Sequence, residues 1–152
     1  MSFLVERSIT VLADPDQIYP LINDFHRWPA WSPWEEMDPA MDREHSGPDS
    51  GVGATYAWRG NRKAGSGSMR ITASTPERVD VELTFLKPFK ATNQVTFTIT
   101  PVAAGTEIVW QMRGEQNGLM KLFGKIFSMD KMVGKDFERG LRQLKDVVEK
   151  SR

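Results

Sequence analysis

Few residues in this sequence have side chains suited to catalysis or metal binding. Histidine occurs only at His26 and His45, and cysteine is absent. This inventory excludes a zinc site built from three histidines, a thiolate metal site and a thiol nucleophile, and the motif His-Glu-x-x-His does not occur. We therefore predict neither a bound metal nor a cofactor.

Three side chains are candidates for acid or base catalysis: Glu35, Tyr56 and Asp136. Glu35 stands in an acidic loop, where paired carboxylates for proton transfer and ordinary solvated residues are both open interpretations. Asp136 lies on the apolar seam of a predicted helix, where an unpaired carboxylate is costly to bury. Three interpretations are open for Asp136: it supplies a polar group to a pocket, it tilts to solvent, or it pairs with an arginine. No Ser-His-Asp arrangement can be argued, so the catalytic residues stay unassigned.

The segment WPAWSPW, residues 28–34, holds three of the five tryptophans at a spacing of three. This spacing places the rings on one side of a tight helical turn or of a proline-type extended helix. The indoles are either core residues or the rim of a binding site, since such sites are mostly apolar and aromatic. Because Pro29 and Pro33 prevent a long helix and acidic residues follow, we predict that Trp31 or Trp34 lies at the mouth of a pocket.

Length and charge limit the class of protein. The 152 residues suffice for a hydrophobic core, and we predict a single domain over 1–152. Twenty basic residues balance twenty acidic ones, whereas nucleic-acid-binding proteins usually carry a basic excess. No stretch reaches the roughly 18 apolar residues of a membrane span, and Glu6 and Arg7 interrupt the apolar run that a signal peptide needs. We expect a cytoplasmic protein with no nucleic-acid partner and no integral membrane segment.

Apolar and polar residues alternate with period two after Gly51, which predicts antiparallel strands with one apolar face. The alternating runs are GATYAW, SGSMRITAS, RVDVELTF, NQVTFTIT and TEIVWQM. A further strand is predicted at 3–13, a weaker one at 38–46, and a short helix begins after Asp14 with Pro15 in its first turn. The run GSGS opens a strand, whereas a phosphate loop opens a helix, so it does not predict a phosphate site.

From Met129 the period becomes helical and predicts an amphipathic helix of about 20 residues that starts between 128 and 131. The segment LMKLFGKIF before it is also predicted to be helical. Glu138 and Arg142 form an i,i+4 pair in the favourable order. Gly140 lies on the apolar seam of the long helix, where its missing side chain indicates either space for a ligand or close packing against the sheet.

The order of elements and three motifs resemble the START-like, or SRPBCC, superfamily, in particular its polyketide cyclase/dehydrase and lipid-transport branch. The motifs are FHRWPAWSPWEEMDPAM, FLKPFKATNQVTFTITP and MDKMVGKDFERGLRQLK. The resemblance implies an α+β helix-grip fold, in which a curved antiparallel sheet of six to seven strands wraps around the long C-terminal helix and two short helices follow the first strand. It also implies an apolar ligand in the gap between sheet and helix.

The predicted pocket residues are the apolar members of the alternating strands, the seam of the last helix and the tryptophans of the rim. They are Trp31, Trp34, Tyr56, Trp58, Met69, Phe85, Phe97, Trp110, Met112, Met129, Met132, Val133, Asp136, Phe137 and Gly140. Methionine suits such a surface because it adapts to irregular shapes.

Three functions fit these observations. The leading hypothesis is a carrier or sensor of a small hydrophobic molecule such as a lipid, a polyketide or an aromatic compound. The first alternative is an enzyme of the cyclase or dehydratase type that acts on an aromatic or polyketide substrate. The second is a protein-interaction module related to activators of a chaperone ATPase, for which a filled interior and an exposed apolar patch would be expected.

Overall fold

The computed structural model describes residues 2–34, 40–61, 65–87, 90–115 and 129–150. The strands are β1 Ser2–Val11, β2 Asp42–Ser46, β3 Thr55–Arg59, β4 Ser66–Thr75, β5 Arg78–Lys87, β6 Ala91–Val102 and β7 Gly105–Glu115. The helices are α1 Pro15–Asn23, a 3-10 helix Phe25–Ala30 and the C-terminal α2 Met129–Lys150. Among these residues, no helix is both long and apolar enough to cross a membrane.

The seven strands form one antiparallel sheet in the order β1-β7-β6-β5-β4-β3-β2. The crossover from β1 to β2 carries α1 and the 3-10 helix, and β2 to β7 follow one another as a meander. This confirms the predicted curved sheet of six to seven strands with two short helices after the first strand. The predicted C-terminal helix is also confirmed, since α2 begins at Met129 and has 22 residues.

Alternation sets the two faces of the sheet. On β5 the buried residues are Val79, Val81 and Leu83, and on β6 they include Val95, Phe97 and Ile99. These side chains face α1, the 3-10 helix and α2, and we call this side of the sheet the concave face. α2 packs chiefly against the edge strand β1. The core therefore lies mainly between the β1–β7–β6 half of the sheet and the helices.

Several local predictions need correction. The first strand ends at Val11, because the backbone turns there and Ala13 donates to the Val11 carbonyl. Of the described residues 40–46 in the weaker predicted strand, only 42–46 form a strand. Glu138 does not pair with Arg142 but accepts a 3.1 Å hydrogen bond from Arg7 Nε on β1, since the tertiary fold brings a cation from another element closer. The predicted helix at LMKLFGKIF lies outside the described residues.

Candidate ligand site between the sheet and the last helix

Trp28 and Trp31 are core residues that also cap α1. Their side chains are 3% and 0% exposed, and their indole N–H groups donate to the carbonyls of Ile22 and Leu21, both at 2.9 Å. Carbonyls in the last turn of a helix have no partner within the helix, so the two indoles supply partners for two carbonyls at the end of α1. Of the two tryptophans considered for the pocket mouth, Trp31 is therefore a core residue, and Trp34 remains the candidate.

Trp34 is the half-buried tryptophan of the three, and it joins the 28–34 segment to α2. Its indole N–H donates to Asp136 Oδ2 at 3.1 Å, and Arg139 Nη2 donates to the Pro33 carbonyl at 2.6 Å. Arg139 Nη2 also lies 3.8 Å from Asp136 Oδ1. We call these contacts the Trp34 latch. Of the interpretations open for Asp136, the structure favours pairing with an arginine, and the carboxylate is additionally bound by an indole.

We expect Asp136→Asn to change the free energy of unfolding by less than about 1 kcal/mol, because the ion pair of the latch is partly solvent-exposed and the amide oxygen can still accept from Trp34. Urea denaturation measures this. A loss of several kcal/mol would contradict the geometry and would indicate a carboxylate that is essential inside the core.

An aromatic cluster fills the space where β6, β7 and α2 meet. The Trp110 ring stacks on Phe137 with centroids 4.0 Å apart and planes at 7°, and on Phe97 at 4.9 Å. Trp31 and Trp34 meet Trp110 edge to face, each at 5.6 Å. Trp110 Nε1 is buried with no hydrogen-bond partner within the described ranges. Such an unpaired group costs about 1–3 kcal/mol.

Gly140 is explained by close packing and not by space for a ligand. A Cβ atom at this position would lie 2.9 Å from both Pro33 Cδ and Trp110 Cζ3. Both neighbours are parts of rigid rings held in the cluster. The interpretation of Gly140 as an opening for a ligand is therefore not supported, and the glycine allows α2 to approach the aromatic cluster.

The concave face is less completely covered at β3 and β5. Trp58 and Phe85 are half-buried there, with ring centroids 5.9 Å apart in an edge-to-face arrangement. Gly67 on β4 lies between them, because a Cβ at this position would be 2.7 Å from Trp58 Cη2. The absent side chain lets the indole lie across β4 toward Phe85. We call Trp58, Gly67 and Phe85 the open aromatic wall.

The other predicted pocket residues divide between buried and half-buried positions. Met69 and Tyr56 are buried beside the open aromatic wall, Met112 is buried on β7, and Val133 on α2 is half-buried. The side chains of Met129 and Met132, and all of Glu35, lie outside the described part of the chain.

The two described candidates for acid or base catalysis are engaged by different neighbours. Tyr56 packs against Phe25 and His45, with ring centroids 6.0 and 5.1 Å away. Asp136 instead belongs to the Trp34 latch. His26 stacks on His45 at 4.1 Å, which links the 3-10 helix to the edge strand β2. Within the described ranges, no group of three or more His, Cys, Asp or Glu side chains is placed to hold a metal ion.

Sequence reasoning missed one polar residue of the concave face, Asn93. It is 4% exposed and has the same alternation parity on β6 as Val95 and Phe97. Its position in the alternation could have identified it as a candidate binding residue, because burying an amide costs free energy unless a hydrogen-bond partner binds it.

A comparison with known protein families gives a match over nearly the whole chain. The family model described as polyketide cyclase / dehydrase and lipid transport matches residues 2–149. The chain belongs to this family. Membership of the polyketide cyclase/dehydrase and lipid-transport family agrees with the helix-grip arrangement described above, and it confirms the resemblance seen in the sequence motifs. A comparison with curated proteins gives no significant match.

Solved structures share the fold of this polyketide cyclase/dehydrase-type chain at low identity. The NMR structure of KanY (ms6282) has a TM-score of 0.72 and 14% identity, with 98% of this chain and 99% of that chain covered. The crystal structure of protein CV1439 from Chromobacterium violaceum has a TM-score of 0.69 and 16% identity, with 96% of each chain covered. DynU16, from the dynemicin biosynthetic locus, has a TM-score of 0.67 and 16% identity over 98% of this chain and 48% of its own.

Proposed function

We propose that the protein binds a small hydrophobic molecule on the concave face of the sheet, between the open aromatic wall and α2. The observation that carries this proposal is the half-buried pair Trp58 and Phe85 on a face whose other apolar residues are largely buried. Ligand sites in proteins are concave and are lined by hydrophobic and aromatic side chains with few polar groups.

Two further features support the proposal. Gly67 removes the side chain that would otherwise stand between Trp58 and Phe85, so the wall is a continuous aromatic surface. Met69 and Leu83 flank this wall and extend its apolar area along β4 and β5. The family description, which includes lipid transport, is consistent with a ligand of this class.

Binding of the neutral fluorescent probe N-phenyl-1-naphthylamine tests the proposal. We expect saturable binding by the wild-type protein, and we expect Phe85→Ala to weaken it by about tenfold or more, because a tenfold change corresponds to about 1.4 kcal/mol and an aromatic side chain contributes at least that much apolar contact. The matched control is Leu86→Ala. Leu86 is the next residue on the same strand, but it is 54% exposed on the opposite face.

The control should leave probe affinity unchanged within roughly twofold, a difference well below 1 kcal/mol. Circular dichroism confirms that each variant is folded before titration. Equal weakening by both variants, or no saturable binding by folded wild-type protein, would rule out a site on the concave face. Native mass spectrometry of the protein purified from its own host can then identify the bound molecule.

A further inference from the structure

Two polar groups on the concave face have no hydrogen-bond partner among the described residues. One is the indole N–H of Trp110, which is completely buried, and the other is the carboxamide of Asn93, a residue that is 4% exposed. The other buried polar side chains in the described ranges are hydrogen-bonded, namely Ser32, Thr96 and Thr106. Buried polar groups are nearly always paired in native proteins. Two groups that the described residues leave without a partner are therefore available to hydrogen-bond a bound molecule on this face.

The position of Asn93 is suited to contact with a ligand. On β6 it stands between Leu83 of β5 and Gly114 of β7. A Cβ atom at position 114 would collide with Asn93 Oδ1, so Gly114 provides the room in which the carboxamide lies. Two residues away along the same strand pair, Phe85 of the open aromatic wall pairs with Ala91. The amide thus lies beside the apolar surface proposed as the ligand site.

Trp110 marks the other side of this surface. Its cross-strand partner Phe97 is four residues from Asn93 on β6, a separation of about 13 Å along the strand. Met112 and Val95 form the apolar row between them. The Cζ3 edge of the Trp110 indole faces Gly140 and Pro33, and Nε1 lies on the opposite edge of the ring system.

We propose that the concave face selects an apolar molecule that carries an oxygen acceptor, such as a ketone or ester carbonyl, and that Asn93 donates the hydrogen bond that recognises it. Trp110 Nε1 provides a second donor on the same face. This inference rests on the proposed function and adds the chemistry of the ligand and a residue that determines specificity. A site with a buried hydrogen-bonding group rejects an analogue that lacks the matching oxygen, because the protein group is then left unpaired.

Equilibrium dialysis with fluorene and 9-fluorenone tests this directly, because the two probes share a three-ring frame and differ at one carbon, which bears a carbonyl oxygen in the ketone. We expect the wild-type protein to bind 9-fluorenone about tenfold more tightly than fluorene, equivalent to about 1.4 kcal/mol. Asn93→Leu keeps the branched shape and removes the amide. It should lower the preference for the ketone to less than about threefold while fluorene affinity stays the same within roughly twofold.

The matched control is Gln94→Leu, which removes a carboxamide from the neighbouring, exposed position on the other face of β6. It should retain the full preference for the ketone. If fluorene binds but the wild-type protein shows no ketone preference, or if Asn93→Leu retains it, the inference is wrong and the proposed apolar site stands. If neither probe binds to folded protein, both the inference and the proposed function fail.

Discussion

Replacement of Trp31 by alanine should lower the free energy of unfolding by about 3–5 kcal/mol, the usual range for the loss of a large aromatic side chain from a core. The indole is 0% exposed, packs against Trp28, Phe97 and Trp110, and donates to the Leu21 carbonyl. For a domain of this size, the melting temperature should fall by at least about 6 °C. Urea denaturation and thermal melts followed by circular dichroism measure both quantities.

Two variants separate the contributions of the Trp31 side chain. Trp31→Phe keeps an aromatic ring but removes the indole N–H, so the Leu21 carbonyl loses its partner. The lost hydrogen bond should lower the free energy of unfolding by about 1 kcal/mol, and the smaller ring should lower it further through weaker packing. Trp34→Ala should cost clearly less than Trp31→Ala, since Trp34 is half-buried and hydrogen-bonds to a partly exposed carboxylate. Equal losses for Trp31→Ala and Trp34→Ala would mean that Trp31 is not the core residue described.

Replacement of Gly140 by alanine should destabilise the protein by about 1–3 kcal/mol, the typical cost of overpacking a well-packed core. This reverses the usual effect, because glycine inside a helix is less stable than alanine by about 1 kcal/mol. The reversal is expected because the new methyl group would lie 2.9 Å from Pro33 and from Trp110, whose rings are held by the aromatic cluster and the Trp34 latch. Urea denaturation of the variant gives the sign and the size of the change.

Gly134 is the matched control on the same helix. A Cβ there would collide with the guanidinium of Arg7, but that group is the end of a flexible side chain and can move away. Gly134→Ala should therefore be close to neutral, since the gain in helix propensity of up to about 1 kcal/mol offsets the displaced contact between Arg7 and Glu138. If Gly140→Ala stabilises the protein as much as Gly134→Ala or more, position 140 has free space and its interpretation as an opening for a ligand returns.

Much of the fold was predictable because it depends on local periodicity. The alternation in RVDVELTF and NQVTFTIT predicts both the strands and the face on which Val81 and Phe97 are buried, and the structure agrees. The helical period after Met129 predicts α2, and Asp14 followed by Pro15 marks the start of α1. These features need only the geometry of a strand or a helix and the separation of apolar from polar side chains.

The candidate site was less predictable because its residues acquire their roles from distant parts of the chain. The spacing of three in WPAWSPW does not distinguish Trp31 from Trp34. Only the position of the segment between α1 and α2 places the first in the core and the second in the latch. For Asn93, alternation gives the buried face, but whether the described residues supply its carboxamide with a hydrogen-bond partner depends on which side chains the neighbouring strands bring to it.

The sequence by itself therefore determined the elements, their inward faces and the family resemblance, because each of these follows from patterns within a few neighbouring residues. The tertiary structure decided which polar groups are paired and which glycines are closely packed. Arg7 binds Glu138 across 131 positions of sequence, and Gly140 is required by rings at positions 33 and 110. Such pairings depend on strand register and on the packing of the helices against the sheet, and short-range patterns contain no information about either.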